Sequence, residues 1–84
     1  MSCEPKTFNN VSPQVFECLK GKLQGLGYNL QGTKGTLNGP MGIVMDFDWN
    51  EANTTLYIDV TAKNFIVPCS RIYAEIEKAI ASCS

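Results

Sequence analysis

The spacing of apolar residues changes period twice along this chain, and each change marks a boundary between structural elements. Val15, Phe16, Leu19, Leu23 and Leu26 recur at helical intervals and so share one face. Ser12-Pro13 stands just before them. A serine side chain can accept a hydrogen bond from an orphan amide of the first turn, and a proline at the first helical position has no amide to satisfy. Gly25 and Gly27 supply the stop, because glycine enters the left-handed conformation at a helix end without a steric cost. The pattern predicts a helix over 13–25, with Gly21 inside it costing about 1 kcal/mol relative to alanine.

Further on, the period becomes two. Met41, Ile43, Met45, Phe47 and Trp49 alternate with Val44, Asp46 and Asp48, and Leu56, Ile58, Val60 and Ala62 alternate with Tyr57, Asp59, Thr61 and Lys63. Asn50-Glu51-Ala52-Asn53 between them is made of turn formers. Facing Trp49 with Thr54 would set Phe47 against Leu56, Met45 against Ile58 and Ile43 against Val60, so that apolar residues meet across the pair. A slip of one residue would destroy the match. The preceding stretch, 28–42, is punctuated by Gly32, Gly35, Gly39 and Gly42 and reads as a short strand and a hairpin. A three-residue loop of Asn38, Gly39 and Pro40 pairs Leu37 with Met41 and keeps the faces consistent.

After Asn64-Phe65-Ile66-Val67-Pro68 the helical period returns. Ile72, Tyr73, Ile76, Ala79 and Ile80 form one face, Arg71, Glu75, Glu77 and Lys78 the wet side, and Cys69 or Ser70 the cap. The first eleven residues are polar and irregular and read as a loose N-terminal arm. The expected fold is therefore α+β: helix, three-stranded antiparallel meander, helix (αβββα). Both helices would pack on the one apolar sheet face as a two-layer sandwich, in a single domain covering 1–84.

Composition narrows the function more than it defines it. With 84 residues, 44% of them hydrophobic, the chain is large enough for one modest core. Seven basic residues nearly balance eight acidic ones for a net charge of −1, and the basic residues are scattered. That distribution argues against nucleic acid and against an anionic membrane as partners. No run approaches the roughly 18 apolar residues needed to span a bilayer. The chain contains no histidine, which removes Ser-His and Cys-His nucleophile systems and His-ligated zinc from consideration. No apolar segment of signal-peptide type opens the sequence, so a cytoplasmic location with reduced thiols is the expectation.

Several patterns imitate functional motifs. Asp46, Asp48 and Asn50 have the opening spacing of a calcium loop, but Glu51 stands where that loop needs glycine and Tyr57 where it needs a bidentate glutamate. The glycine-rich stretch is not a phosphate cradle, since Lys34 precedes Gly35 and a strand follows. Asp46, Asp48 and Asp59 can share one sheet face, where they read as a solvated acidic patch. The four cysteines, Cys3, Cys18, Cys69 and Cys83, form no Cys-x-x-Cys pair, which disfavours structural zinc. Cys3 and Cys83 would be the pair to bridge in an oxidising compartment. Nothing in the sequence calls for a cofactor or a metal.

These readings leave a small non-catalytic interaction or assembly module, meeting a protein partner or further copies of itself through a sheet edge. An alternative is a binder of an apolar ligand held between sheet and helices, with Met45, Trp49, Phe65 and Tyr73 as the lining. A third is a thiol-based redox protein using Cys69, whose place at a helix N-terminus beside Arg71 would lower a thiol pKa. If Asp46 and Asp48 only wet the outer face while Phe47 points inward, calcium should leave the spectra and melting temperature unchanged. Phe47→Asp should unfold the protein, as followed by circular dichroism.

Overall fold

Phe47, Leu56 and Ile58 lie side by side on the inner face of an antiparallel sheet, as their alternation requires. The computed structural model describes residues 3–39 and 42–84. In chain order the elements are β1 (Lys6–Phe8), α1 (Pro13–Gly25), β2 (Lys34–Asn38), β3 (Val44–Asn50), β4 (Thr55–Ala62) and α2 (Cys69–Cys83). The sheet is four-stranded with the order β1-β4-β3-β2. One core unites its inner residues with the apolar faces of both helices: Val15, Phe16, Leu19 and Leu23 from α1, and Ile72, Ile76 and Ile80 from α2.

The α+β class stands, and the strand count is corrected. Lys6–Phe8, read as part of a loose arm, pairs antiparallel with β4, placing Lys6 opposite Ile58 and Phe8 opposite Leu56. Three residues are too few for periodicity to register, but their neighbours hold them. Cys3 and Val11 are buried on either side, the Cys3 amide donates to the Val60 carbonyl at 2.9 Å, and the Val11 amide donates to that of Thr54 at 2.8 Å. Lys6 also pairs with Glu77 on α2.

The faces of the strands follow the alternation, but the register differs. Trp49 faces Leu56, Phe47 faces Ile58 and Met45 faces Val60, two residues from the expected partners. The cause is the turn. Asn50 remains the last strand residue opposite Thr55, and its side chain accepts from the Asn53 amide at 3.2 Å. Thr54 closes the loop with φ of 51°. Because the loop moves by one residue, pairing shifts by two, and the side chains from Met45 to Asn50 keep their faces. At Val44 the register shifts again, so Ala62, expected on the inner face, stands opposite the outer residue Val44. Similarly, Leu37 faces Met45 rather than Met41. The hairpin loop is wider than Asn38-Gly39-Pro40, since the Gly39 amide donates to the Ile43 carbonyl at 2.8 Å. Pro40 and Met41 lie outside the described residues. Gly39 has a steric reason to be glycine: a Cβ there would stand 2.1 Å from Cε1 of Tyr28.

Helix ends obey local chemistry. Ser12 caps α1, its Oγ accepting from the Val15 amide at 3.3 Å, and Pro13 follows at the first position. The far end is a Schellman closure: Gly27 (φ 99°) donates to Gln24 and Tyr28 donates to Leu23. By contrast, Pro68 rather than Cys69 or Ser70 is the N-cap of α2, and it has no side chain with which to cap.

The thiol expectation is also corrected. Cys3 is bonded to Cys69 and Cys18 to Cys83. The Cys3–Cys83 pairing suggested by terminal proximity does not form, because β1 carries Cys3 to the start of α2, whereas Cys83 at its end lies against α1. Each bridge closes a loop of more than sixty residues, worth about 4 kcal/mol in the chain-entropy account when taken singly. Replacing Cys3 and Cys69 together by serine should lower unfolding free energy by about 2–5 kcal/mol, measured by denaturant titration without reductant. Mismatched removal of Cys3 and Cys83 should do more damage, since it breaks both bridges and strands two thiols.

Candidate recognition surface

The Schellman turn that ends α1 sets Tyr28 back against Leu23, and these two residues form one wall of a groove. Leu26 continues it, Ile43 and Met45 form its floor, and Val67, Ile72 and Ile76 its far wall, with Arg71 and Glu75 on the rim. The groove holds about 310 Å³ and is half-open. Its apolar lining and few polar rim groups suit an apolar guest, and its size lies at the small end of ligand sites, which start at about 300 Å³.

Next to Val67 the chain projects two bulky side chains outward. Phe65 is 76% and Ile66 67% exposed. The turn that carries them is tied down: the Ile66 amide donates to Asn64 Oδ1 at 3.1 Å and the Val67 amide to the Asn64 carbonyl at 3.0 Å. Asn64 thus makes the side-chain turn that asparagine favours. Two residues beyond Val67, Cys69 is held to Cys3. The prominence therefore stands on a braced stem.

The four residues expected to line a ligand site are not brought together. Met45 is buried on the groove floor. Trp49 is stacked on Phe16 with ring centroids 4.3 Å apart and planes 7° apart, and its Nε1–H donates to the Val11 carbonyl at 2.8 Å. It is a core anchor whose polar edge is satisfied. Phe65 faces solvent beside the groove. Tyr73 lies beyond, near Phe8, where its hydroxyl donates to the Glu4 carbonyl. Cys69, the candidate reactive thiol, is a disulfide sulfur. Of the groove residues, sequence reasoning named Met45 alone; those it missed come from the end of α1 and the turn after it, from Ile43, and from the start of α2 with Val67 before it. Only the Gly27-Tyr28 turn carried a local signal.

Asp46, Asp48 and Asp59 share the outer sheet face, as their alternation implies. Asp46 lies opposite both Asp59 on β4 and Thr36 on β2, whose hydroxyl donates to Asp46 Oδ1 at 2.7 Å. Asp48 lies between Tyr57 and Lys34. Among the described residues, no three acidic or thiol groups gather as metal ligands would. No protein-family model, curated protein or solved structure gives a match to the chain.

Burial raises the Tyr28 hydroxyl above its ordinary value. It raises Tyr73 as well, with Asp59, Tyr57 and Glu4 adding to the shift and a backbone hydrogen bond at Val60 opposing it. A phenol is neutral when protonated, so a raised folded value means that the fold holds the proton more tightly than the unfolded chain does. The resulting stabilisation is complete below the unfolded value of about 10 and disappears as pH rises through the folded one. Phenolate absorbance should therefore show Tyr28 and Tyr73 titrating later in the folded protein than in denaturant, with Tyr28→Phe and Tyr73→Phe each removing one late step.

Proposed function

We propose that the chain is a non-catalytic, disulfide-braced recognition module. It meets its partner protein through the Phe65–Ile66 prominence and the groove behind Val67. The observation that carries this reading is the pair of large apolar side chains standing in water on a fastened turn beside an apolar groove. Complete burial of each would contribute about 1.5–3 kcal/mol before the entropy cost of association is met, which makes the pair the natural anchor of such a contact. An apolar small molecule in the same groove is the narrower alternative. The exposure of Phe65 and Ile66 outside the groove favours a contact broader than such a ligand would make. Assembly through a sheet edge is a second reading, favoured by the position of β2 at the end of the strand order.

Location enters the same proposal. No helix among the described residues is long and apolar enough to cross a membrane. The cytoplasmic expectation rested on the lack of a signal-type apolar segment and carried reduced thiols with it, whereas all four cysteines are bridged. Stable bridges of this kind favour an oxidising compartment, and we infer that the module works there.

Selection of a random-peptide display library against the oxidised protein tests the recognition surface. Replacing Phe65 and Ile66 together by serine should change stability by less than about 0.5 kcal/mol, as exposed positions do. It should weaken the selected peptides at least about tenfold. Selected peptides that bind the double variant as tightly as the unaltered chain would remove this surface from the proposal.

A further inference from the structure

The outer strand β2 borders a second depression, and its chemistry differs from that of the apolar groove. The ends of the β2–β3 ladder are fixed by two bonds, from the Trp49 amide to the Thr33 carbonyl and from the Gly39 amide to the Ile43 carbonyl, each 2.8 Å. In an antiparallel pair, residues bonded inward alternate with residues turned away. Gly35 and Leu37 therefore bond toward β3, while Lys34, Thr36 and Asn38 direct their amides and carbonyls to the open edge. Alongside that edge runs the segment that leaves α1. Asn29 and Gln31 from this segment, with Gly35, Thr36, Asn38 and Phe47, line an open groove of about 580 Å³.

We propose that this groove binds an extended peptide segment of a partner protein, added to the sheet antiparallel to β2. The peptide would bond to the backbone at Lys34, Thr36 and Asn38, with the amide side chains of Asn29 and Gln31 along its far side. Pairing also sets a side-chain code. The peptide residue opposite Gly35 falls on the inner face, where the glycine brings the groove up to the Phe47 ring: a Cβ there would lie in van der Waals contact with it, 3.6 Å from Cε1. An aromatic or large aliphatic side chain packs against that ring edge across the glycine, as a cross-strand neighbour of a glycine does. The next residue of the peptide lies opposite Lys34 on the outer face, where an acid is favoured. The motif is thus apolar followed by acidic. β3 presents the same motif to β2 from the other side, with Phe47 opposite Gly35 and Asp48 opposite Lys34.

A second copy of the chain fits this edge less well. Pairing β2 with itself about Thr36 would use the same backbone groups, but it sets Leu37 of the copy opposite Gly35. Leu37 is already buried in its own core and cannot pack against that ring edge. The proposal deepens the edge reading above by naming its occupant, and it is independent of the Phe65–Ile66 surface.

A capped synthetic peptide with the β3 sequence VMDFDWN is the probe, titrated into the oxidised full chain and followed by amide chemical shifts and hydrogen exchange. Binding should shift and protect the amides of Lys34, Thr36 and Asn38. N-methylation of the peptide residue that would face Thr36 should weaken it at least about tenfold, with no change to the protein at all. Lys34→Glu should weaken binding up to about fivefold, and a peptide with lysine in place of its second aspartate should recover the loss. Gly35→Val, a good strand former that sets a branched side chain between the groove and the Phe47 ring, should abolish binding while the chain stays folded. The Phe65→Ser, Ile66→Ser double variant should bind the probe unchanged. Equal binding of the N-methylated peptide, or shifts centred on Phe65 and Ile66, would overturn the edge site while leaving the recognition reading intact. Protection of the three amides that rises with protein concentration and needs no peptide would overturn it in favour of a homodimer.

Discussion

The attachment of α2 is the constraint on which the rest of the structure depends. This helix has no side-chain cap at its start, where a proline precedes it, and among the described residues its wet face makes one ion pair to the sheet edge, Lys6 with Glu77. What holds it is a stripe of isoleucines, Ile72, Ile76 and Ile80, together with a disulfide at each end. Burial of three such side chains is worth several kcal/mol, but a hydrophobic stripe allows a helix to slide or rotate at little cost. The bridges remove that freedom. Cys69 fixes the start of α2 to the segment before β1, and Cys83 fixes its end to the middle of α1. The groove wall at Val67, Ile72 and Ile76, and the stem under Phe65 and Ile66, are placed by this double attachment.

What could be read from the sequence is what depends on near neighbours. The limits of α1 were legible because Ser12, Pro13 and Gly27 act within a turn of where they stand. The inner and outer faces of β3 and β4 were legible because side chains alternate with period two wherever the strand pairs. Register was not, since moving a loop by one residue leaves every face unchanged, and the choice was made by the side chain of Asn50 and the left-handed Thr54. β1 was missed because it is three residues long and is held by contacts with β4 that lie fifty residues away in sequence. Cysteine pairing was missed for the same reason. Spacing along the chain says nothing about which sulfurs a sheet and two helices bring within reach.

The candidate surfaces divide in the same way. Met45 was legible as an inward residue, and it does reach the groove, but its expected companions are separated by the fold. Trp49 is occupied by Phe16 and by the Val11 carbonyl, and Tyr73 by Phe8 and the Glu4 carbonyl. Aromatic residues with a polar edge are drawn to wherever that edge finds a partner, which sequence alone does not reveal. Phe65 reads from the sequence as lining of an apolar site because it is apolar and stands between strand and helix. Asn64 turns the chain so that Val67 faces the groove and the two residues before it do not.

The order of the bridges has a consequence for proteolysis. Cys3, Cys18, Cys69 and Cys83 pair first with third and second with fourth, so the two loops interlock along the chain. A single cut anywhere between Cys3 and Cys83 then leaves its two pieces covalently joined, because at least one bridge always spans the break. A nicked molecule keeps its mass to within one water, and its elements remain tethered at high effective concentration. In a protease-rich milieu such a molecule is converted from one chain to two without being dismantled, and it comes apart only when a reductant is present as well.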